Sequence, residues 1–289
     1  MSTPRSTPRS WLYAPGHRPD RVAKALASAA DAVVIDLEDA VPAAAKDEAR
    51  RCAVAVLADR PAGGPPVWVR VNPPTEAVGR ADVEALAGTT ADGLRLPRTE
   101  DPDAVRAAAD RTGKPLVLLL ETARGLLRAP ELAQAHTQVA GIGVGEADLG
   151  ADLMIGSDSG LDWARGWVVV AARAAGLPSP TQSVWTRVSD LDGLRASCES
   201  GLAMGFFGRS VVHPAQIETV HDVYTPSAAQ VADARAVLAT GAAARARGEA
   251  AALDEHGRFV DPAVEARAQV VLDRVPTPRD VCSDPEGQA

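Results

Sequence analysis

The sequence has few aromatic residues, few cysteines and no long apolar run. Aromatic residues make up 3% of the 289 residues, which we interpret as a compositional bias without functional meaning. The three cysteines, Cys52, Cys198 and Cys282, are far apart and odd in number. This argues against a disulfide framework or a CxxC zinc site and favours reduced thiols in the cytoplasm. No apolar run approaches the roughly 18 residues of a membrane span, and MSTPRSTPRS lacks the apolar core of a signal peptide. We therefore predict a cytoplasmic protein that does not enter a membrane.

Basic residues are present but form no block. The 30 Lys and Arg residues are scattered, and the formal net charge is −8. A nucleic-acid surface is therefore not expected, and an anionic ligand would be met by a few placed cations. With 46% hydrophobic residues, the chain can bury a core for one large α/β domain with an appendage, or for two ordinary domains.

Short apolar segments alternate with helical patterns about eight times, which is typical of a (β/α)8 TIM barrel. We predict this barrel over residues 11–225. A doubly wound sheet is the competing fold, but Glu146 stands where a dinucleotide-binding GxGxxG motif needs its third glycine. The predicted strands are Trp11–Ala14, Ala32–Ile35, Val67–Val71, Gly93–Leu96, Leu116–Leu120, Val139–Val144, Ser183–Arg187 and Gly208–Val212.

Residues outside the predicted barrel differ from it in character. Residues 1–10 are expected to form a disordered arm, and residues 276–289 a flexible tail. Residues 226–275 read as a helical extension that is too small to fold alone and serves as a lid or an oligomerisation element. It contains helices at Ser227–Ala246 and Pro262–Leu272, with a short turn or hairpin at Gly257–Asp261.

Glu121 directly follows the five aliphatic residues Leu116–Leu120. Such a run reads as a strand buried on both faces, and the carboxyl ends of parallel strands are where α/β folds carry out chemistry. Glu121 is either a cap of the next helix or a functional carboxylate. In a barrel, Asp148 would follow the adjacent strand and point into the same mouth. Two carboxylates with waters suit Mg²⁺, and a metal-free pair would suit acid–base work.

Arg70 lies next to the last residue of the third predicted strand and would enter the same mouth. One interpretation is a structural ion pair with Asp36 or Glu38. The other is a guanidinium fork that holds a carboxylate or enolate oxygen of a substrate.

Several segments together resemble the citrate lyase beta-subunit-like proteins of the HpcH/HpaI aldolase superfamily. The resemblance covers nearly the whole chain, and its segments occur in the family's order. They are YAPGHRPDRVAKA (13–25), DAVVIDLEDAV (31–41), VRVN (69–72), LLETARG (119–125), GVGEADLGADL (143–153), VVHPAQI (211–217), YTPS (224–227) and GRFVDPAVEARAQVVL (257–272).

The resemblance implies a TIM barrel that uses Mg²⁺ to cleave or form a C–C bond in an acyl-CoA thioester. By matching position, Glu121 and Asp148 would be the metal ligands, and Arg70 would bind the keto-acid half. Asp36 and Glu38 would support catalysis by orienting Arg70 or metal-bound waters. The substrate and coenzyme A would contact Tyr13, Arg18, Lys24, Ala147 and His213, although the residues alone favour a solvated helix face for Lys24.

Asp261 lies in the extension, in the context Val260-Asp261-Pro262. The resemblance implies that it reaches a neighbouring subunit's active site as an acid or base. The alternative is an N-cap for the helix that begins at Pro262. If Asp261 acts between subunits, the chain forms a homotrimer or homohexamer.

The function implied is a C–C lyase acting on a 3-hydroxyacyl-CoA such as citramalyl-CoA or malyl-CoA, giving a 2-keto acid and acetyl-CoA. The alternatives are a malyl-CoA thioesterase or a malate-synthase-like condensation at the same site. An aldolase of free 2-keto acids, or a citrate lyase beta subunit or acyl-CoA binder acting in a complex, also stays open.

Overall fold

The structure is a computed structural model, and it describes residues 7–60 and 63–275. Pro8–Val223 form one compact unit, and the chain from Tyr224 onward belongs to a second. This division falls two residues before the boundary predicted from the sequence. Most of the predicted arm (residues 1–6) and the predicted tail (276–289) lie outside the described residues. Ser10, the last residue of the predicted arm, already belongs to the first strand.

The first unit is built around a curved sheet that has seven parallel strands in the described residues. The spatial order of the strands is β6-β5-β4-β3-β2-β1-β7. Both neighbours of β1 run parallel to it, so the first strand along the chain is interior to the sheet. The strands are β1 (Ser10–Pro15), β2 (Ala32–Asp36), β3 (Val67–Arg70), β4 (Gly93–Leu96), β5 (Leu116–Leu120), β6 (Val139–Val144) and β7 (Arg209–Val211).

Burial on both faces explains why the strand sequences are continuously apolar. Every residue of β2 and β4 is buried, and so are four of the five residues of β5. This is the pattern of a parallel sheet covered by helices. The strands Leu116–Leu120 and Val139–Val144 have the bounds predicted from the sequence.

The strand predicted at Ser183–Arg187 does not form in the described residues. The neighbouring residue Gln182 makes a single parallel bridge with Arg209 of β7, with hydrogen bonds of 3.0 Å on either side. Pro178 and Pro180 lie just before it, and proline cannot donate to a ladder. The sheet is therefore a curved parallel sheet of an α/β fold, and a closed eight-stranded barrel is not confirmed.

Helices follow most of the strands. The sequence also predicts a helix over Pro102–Thr112, and α4 (Pro102–Thr112) has these bounds: Asp101 caps its start and Gly113, with φ of 62°, ends it. Short 3₁₀ helices lie at Ala43–Ala45, Asp158–Leu161 and Pro214–Gln216. The α-helices up to the end of the first unit are α1 (Pro19–Leu26), α2 (Lys46–Ala58), α3 (Ala77–Leu86), α4 (Pro102–Thr112), α5 (Ala123–Leu127), α6 (Ala129–Ala133), α7 (Glu146–Asp152), α8 (Asp162–Ala174), α9 (Leu191–Met204) and α10 (Ile217–Tyr224).

Up to residue 275, where its description ends, the second unit contains two helices and a hairpin. They are α11 (Ala228–Ala246), the strands β8 (Ala252–Leu253) and β9 (Phe259–Val260), and α12 (Pro262–Asp273). A small apolar cluster joins them, and its buried members are Ala234, Val237, Val260 and Ala268. None of the helices in the described residues is long and apolar enough to cross a membrane.

Candidate active site

A cavity of about 620 Å³ opens where the strands of the first unit end. The residues around it follow β1, β2, β3, β5 and β6, so the strand ends converge as the sequence predicts. The predicted site residues that line it are Tyr13, Arg18, Asp36, Arg70, Glu121, Ala147 and Asp148. Among the described residues of its lining, Lys24, Glu38 and His213 are not found.

Glu121 is not a helix cap. Thr122 caps α5 instead, because its side chain accepts a hydrogen bond of 3.1 Å from the Gly125 N–H. Glu121 is buried, and its Oε2 accepts a hydrogen bond of 2.8 Å from the Arg98 N–H. Burial raises the pKa of Glu121 to about 7; the Arg98 hydrogen bond opposes this rise, and the nearby charge of Asp148 adds to it. The capping interpretation of Glu121 is therefore wrong, and its functional role stays a prediction.

Asp148 lies in the first turn of α7, with its side chain 41% exposed. Its Oδ1 is 3.8 Å from Arg98 Nη2, so Arg98 contacts both carboxylates through different atoms. Arg98 has φ of 46°, a left-handed conformation that is unusual for a residue with a side chain. The turn after β4 therefore holds Glu121 through its backbone and approaches Asp148 through its side chain.

Gly145 provides the space that the Glu121 side chain occupies. A Cβ atom built on Gly145 would overlap Glu121 Cγ and lie 2.8 Å from the carboxyl carbon. The Gly145 N–H also donates a hydrogen bond of 3.1 Å to the Leu120 carbonyl, so the two strand ends are in direct contact. The glycine preceding α7 is needed for close packing.

Arg70 forms the ion pair that the sequence predicts and lines the cavity as well. Its Nε and Nη2 donate to the two oxygens of Asp36 at 2.7 and 2.6 Å. Its Nη1 lies 2.7 Å from Glu38 Oε2 and 3.1 Å from Asp39 Oδ2. Burial opposes the charge of Arg70, but its bonds to Asp36 outweigh that cost and hold the pKa of Arg70 above its ordinary value.

Glu38 is buried beside Arg70, but its pKa rises to about 8. Burial is the main cause, and the charges of Glu121, Asp39 and Asp36 add to it. The Arg70 guanidinium acts in the opposite direction and is outweighed by the burial. Glu38 is therefore harder to ionise than an exposed glutamate.

The residues predicted to contact coenzyme A divide into two groups. Tyr13, Arg18 and Ala147 line the cavity. Lys24 is exposed on α1, which fits its solvated interpretation. His213 caps the 3₁₀ helix Pro214–Gln216 by accepting a hydrogen bond of 3.2 Å from the Ala215 N–H.

Asp261 is the N-cap of α12. Its side chain accepts a hydrogen bond of 2.9 Å from the Val264 N–H, and Pro262 follows as the first helical residue. The capping interpretation is therefore correct. A second, catalytic role for the same carboxylate stays a prediction.

Sequence reasoning missed three residues that shape the site: Arg95, Arg98 and Gly145. Arg95 lines the cavity from the middle of β4, where an arginine interrupts an otherwise apolar strand. That interruption was a readable signal, because buried cations need a partner. Gly145 belongs to the glycine-rich segment that fails as a dinucleotide motif. The left-handed conformation of Arg98 has no signal in the sequence.

The paired carboxylates fit a hard divalent cation. The described residues contain no group of three or more His, Cys, Asp or Glu side chains that could hold a metal. Glu121 and Asp148 offer oxygen ligands only, and the charge of Asp148 raises the pKa of the buried Glu121. A cation between them would relieve that repulsion, and Mg²⁺ is commonly coordinated by two carboxylates plus waters.

Residues 9–214 match the family model described as HpcH/HpaI aldolase/citrate lyase. The chain belongs to this family. A (3S)-malyl-CoA thioesterase of Cereibacter sphaeroides is 37% identical over 261 residues, covering 88% of this chain and 89% of the relative. A citrate lyase subunit beta-like protein of Mycobacterium tuberculosis is 36% identical over 278 residues, covering 93% and 96%.

Solved structures of HpcH/HpaI family proteins have the same fold. The protein CitE from Mycobacterium tuberculosis, in complex with magnesium, acetoacetate and coenzyme A, has a TM-score of 0.77 and 35% identity. The match covers 93% of this chain and 98% of that one. Family membership and the α/β class of the fold thus agree with the resemblance seen in the sequence.

Proposed function

We propose that this HpcH/HpaI family member is a Mg²⁺-dependent carbon–carbon lyase acting on a 3-hydroxyacyl-CoA thioester. The observation that carries the proposal is the convergence of Glu121, Asp148 and Arg70 on one cavity. The complex of the related CitE protein with magnesium, acetoacetate and coenzyme A supports it. Citramalyl-CoA and malyl-CoA are the first substrates to test, and each would yield a 2-keto acid and acetyl-CoA.

Glu121 and Asp148 would hold the metal, and Arg70 would bind the oxygens of the keto-acid half. Bound there, Mg²⁺ would supply Lewis-acid polarisation and a template for those oxygens. Arg70 is held in place by Asp36 and Glu38, so its fork is pre-organised for an oxyanion. Cleavage requires loss of the 3-hydroxyl proton, rupture of the bond between C2 and C3 of the acyl chain, and protonation of the acetyl-CoA enolate at carbon. We assign that last proton transfer to Asp261 of a neighbouring subunit.

The coenzyme A end of the substrate would lie towards Tyr13, Arg18 and Ala147. Arg18 is exposed and paired with Asp20 through a hydrogen bond of 3.0 Å, a weak surface contact that a phosphate can displace. The Tyr13 hydroxyl and ring contribute on the inner side of the cavity, where Tyr13 is half-buried.

A thioesterase is the second candidate function. The (3S)-malyl-CoA thioesterase of Cereibacter sphaeroides, which is 37% identical to this chain, favours it. Hydrolysis would add water to the thioester and release coenzyme A and a free hydroxy acid. The lyase instead releases acetyl-CoA and a keto acid, so the products separate the two functions.

The test is to incubate the protein with each thioester and Mg²⁺ and to identify the products by mass spectrometry. The variants Glu121→Gln and Asp148→Asn keep the size of the side chain but remove its charge. We expect each to lose at least about 100-fold in turnover, since positioning and charge stabilisation at such sites contribute on that scale. Glu131→Gln is the matched control, because Glu131 is an exposed partner of Arg128 outside the cavity. Full Mg²⁺-dependent activity in either site variant would refute the metal assignment.

Three broader expectations accompany this proposal. A closed (β/α)8 barrel is supported by the bridge between Gln182 and Arg209. A homotrimer or homohexamer follows if Asp261 acts between subunits, and sedimentation of the purified protein would measure it. A cytoplasmic location is supported only by the three scattered cysteines, whose spacing favours reduced thiols.

A further inference from the structure

Arg95 crosses the interior of the sheet from β4 to the strands on the far side. It is 3% exposed. Its Nη1 donates to the Tyr13 hydroxyl at 2.9 Å and to Ser210 Oγ at 3.3 Å. Its guanidinium carbon lies 4.3 Å from the centroid of the Trp11 ring. Arg95 therefore lies against β1 and β7 while its backbone belongs to β4.

The charge of Arg95 is not neutralised within the protein. In residues 7–60 and 63–275, no carboxylate forms an ion pair with it, and its buried Nε has no hydrogen-bond partner. A guanidinium removed from water without a counter-ion is costly, and one stacked ring and two hydroxyl groups do not replace a carboxylate. An unpartnered donor group of this kind is expected where a ligand supplies the missing charge.

The cavity that Arg95 lines also contains Glu121 and Arg70. Arg70 is already bound at both oxygens of Asp36, so it can hold at most one anionic group of a ligand. Arg95 has no such partner. A ligand with more than one negative group would therefore place one of them against Arg95.

We propose that Arg95, with Ser210, binds a second carboxylate of the acyl group, so that the site selects thioesters whose cleavage releases a dicarboxylic 2-oxo acid. This inference rests on the proposed function and restricts the class of 2-oxo acid that the lyase would release. The guanidinium carbons of Arg70 and Arg95 lie 5.3 and 5.6 Å from the centroid of the same Tyr13 ring, so they are at most about 11 Å apart. A four-carbon dicarboxylic acid can contact both guanidinium groups within this upper bound, one with each carboxylate. A keto acid with a single carboxylate can contact only one of them in this way.

The test compares the binding of oxaloacetate and pyruvate to the full-length protein with Mg²⁺, by isothermal titration calorimetry. We expect the wild type to bind oxaloacetate about 10- to 100-fold more tightly than pyruvate, as one hydrogen-bonded charge pair contributes on that scale. In Arg95→Met this preference should fall to within about threefold. Arg95→Lys keeps a charge without the fork and should lie between the two.

Arg209→Met is the matched control. Arg209 is likewise buried, and its Nε has no hydrogen-bond partner among the described residues. Its guanidinium carbon lies 5.4 Å from the centroid of the Trp185 ring. Its Nη1, however, donates to Ser197 Oγ at 3.0 Å, and Arg209 does not line the cavity. Its substitution should leave the oxaloacetate-to-pyruvate ratio unchanged. If Arg95→Met does not fold, Ser210→Ala gives the same readout and should lower the ratio about three- to tenfold.

The outcomes separate this inference from the proposed function. If neither keto acid binds the wild type with Mg²⁺, the proposed function itself fails. If both bind but the wild type shows no preference, or if the preference survives in Arg95→Met, the second carboxylate site is wrong while the lyase proposal stands. Loss of the preference in Arg95→Met but not in Arg209→Met supports it.

Discussion

Gly145→Ala tests whether close packing of the two strand ends sets the position of the Glu121 carboxylate. Gly145 has φ of −89° and lies outside the left-handed region, so alanine meets no backbone strain there. The added Cβ would lie 2.5 Å from Glu121 Oε1 and 2.8 Å from the carboxyl carbon. The perturbation is therefore steric, and it falls on Glu121, one of the two side chains that we assign to the metal.

The size of the effect follows from these distances. Non-bonded heavy atoms settle at roughly 3.5–4.0 Å, so the Glu121 carboxyl group has to move by about 1 Å. Glu121 is buried and held by the Arg98 N–H, which leaves it little freedom to move without losing that bond. A misplacement of about 1 Å in a catalytic arrangement costs about 100-fold in rate. We expect a similar loss in turnover, together with weaker binding of Mg²⁺.

The assay is turnover of the thioester as a function of Mg²⁺ concentration, with circular dichroism as a check of folding. Gly150→Ala is the matched control, because Gly150 lies in the same helix, α7, and a Cβ there meets no atom within 4 Å. That variant should be active and slightly more stable, since alanine is the better helix former. Turnover and Mg²⁺ affinity of Gly145→Ala within threefold of the wild type would refute the reasoning.

Two further predictions concern single carboxylates. Burial raises the pKa of Glu38 to about 8 from an ordinary 4.5, so the folded protein favours the protonated carboxyl more than the unfolded chain does. The contribution of this protonated carboxyl to the free energy of unfolding is fully present below about pH 4.5 and is lost as the pH rises towards 8. The side chain of Glu38→Gln does not ionise, so the free energy of unfolding of this variant should rise relative to the metal-free wild type by up to about 1.4 kcal/mol per pH unit in that window. Urea unfolding at pH 5 and pH 7 measures this change. The same difference between variant and wild type at both pH values would contradict the raised pKa of Glu38. Asp261→Asn keeps a good N-cap residue, whereas Asp261→Ala should lower the free energy of unfolding by about 1 kcal/mol. If Asp261 is the acid, both variants should lose about 100-fold or more in turnover, and an active Asp261→Asn would leave capping as its only role.

Local patterns predicted the elements that depend on local physics. Leu116–Leu120 has the predicted bounds because an uninterrupted aliphatic run between turn residues has one way to be buried. The sequence pattern predicts a helix over Pro19–Ala30, but α1 ends at Leu26, because Ser28 Oγ donates a hydrogen bond to the Ala25 carbonyl and competes with the helix. The pattern also predicts a helix over Ala81–Ala87, but α3 begins earlier, at Ala77, although Gly79 weakens its helical pattern. Gly79 packs directly against the backbone of Asn72 and Pro73, and that close contact is not visible in a local window.

The candidate site was predictable where function follows from position along a strand. Glu121, Asp148 and Arg70 come after strands, and parallel strands bring their ends together. Arg95 was missed because it lies within a strand, where only the partner strands across the sheet show that its charge is unmatched. The pKa of Glu38 could not be predicted either, since it depends first on burial and then on the charges of Arg70 and Glu121, which come from other segments of the chain.

The position of β1 in the sheet has a consequence for how the chain is made. Ser10 pairs with Arg209, so one side of the first strand waits for nearly all of the first unit to be synthesised. At roughly 5–20 residues per second, that wait lasts on the order of 10–40 s. Until β7 forms, the N–H and C=O groups on that side of β1 have no strand partner, and an unpaired strand edge can pair with another chain. The sheet is thus most prone to aggregation on the ribosome, before β7 emerges.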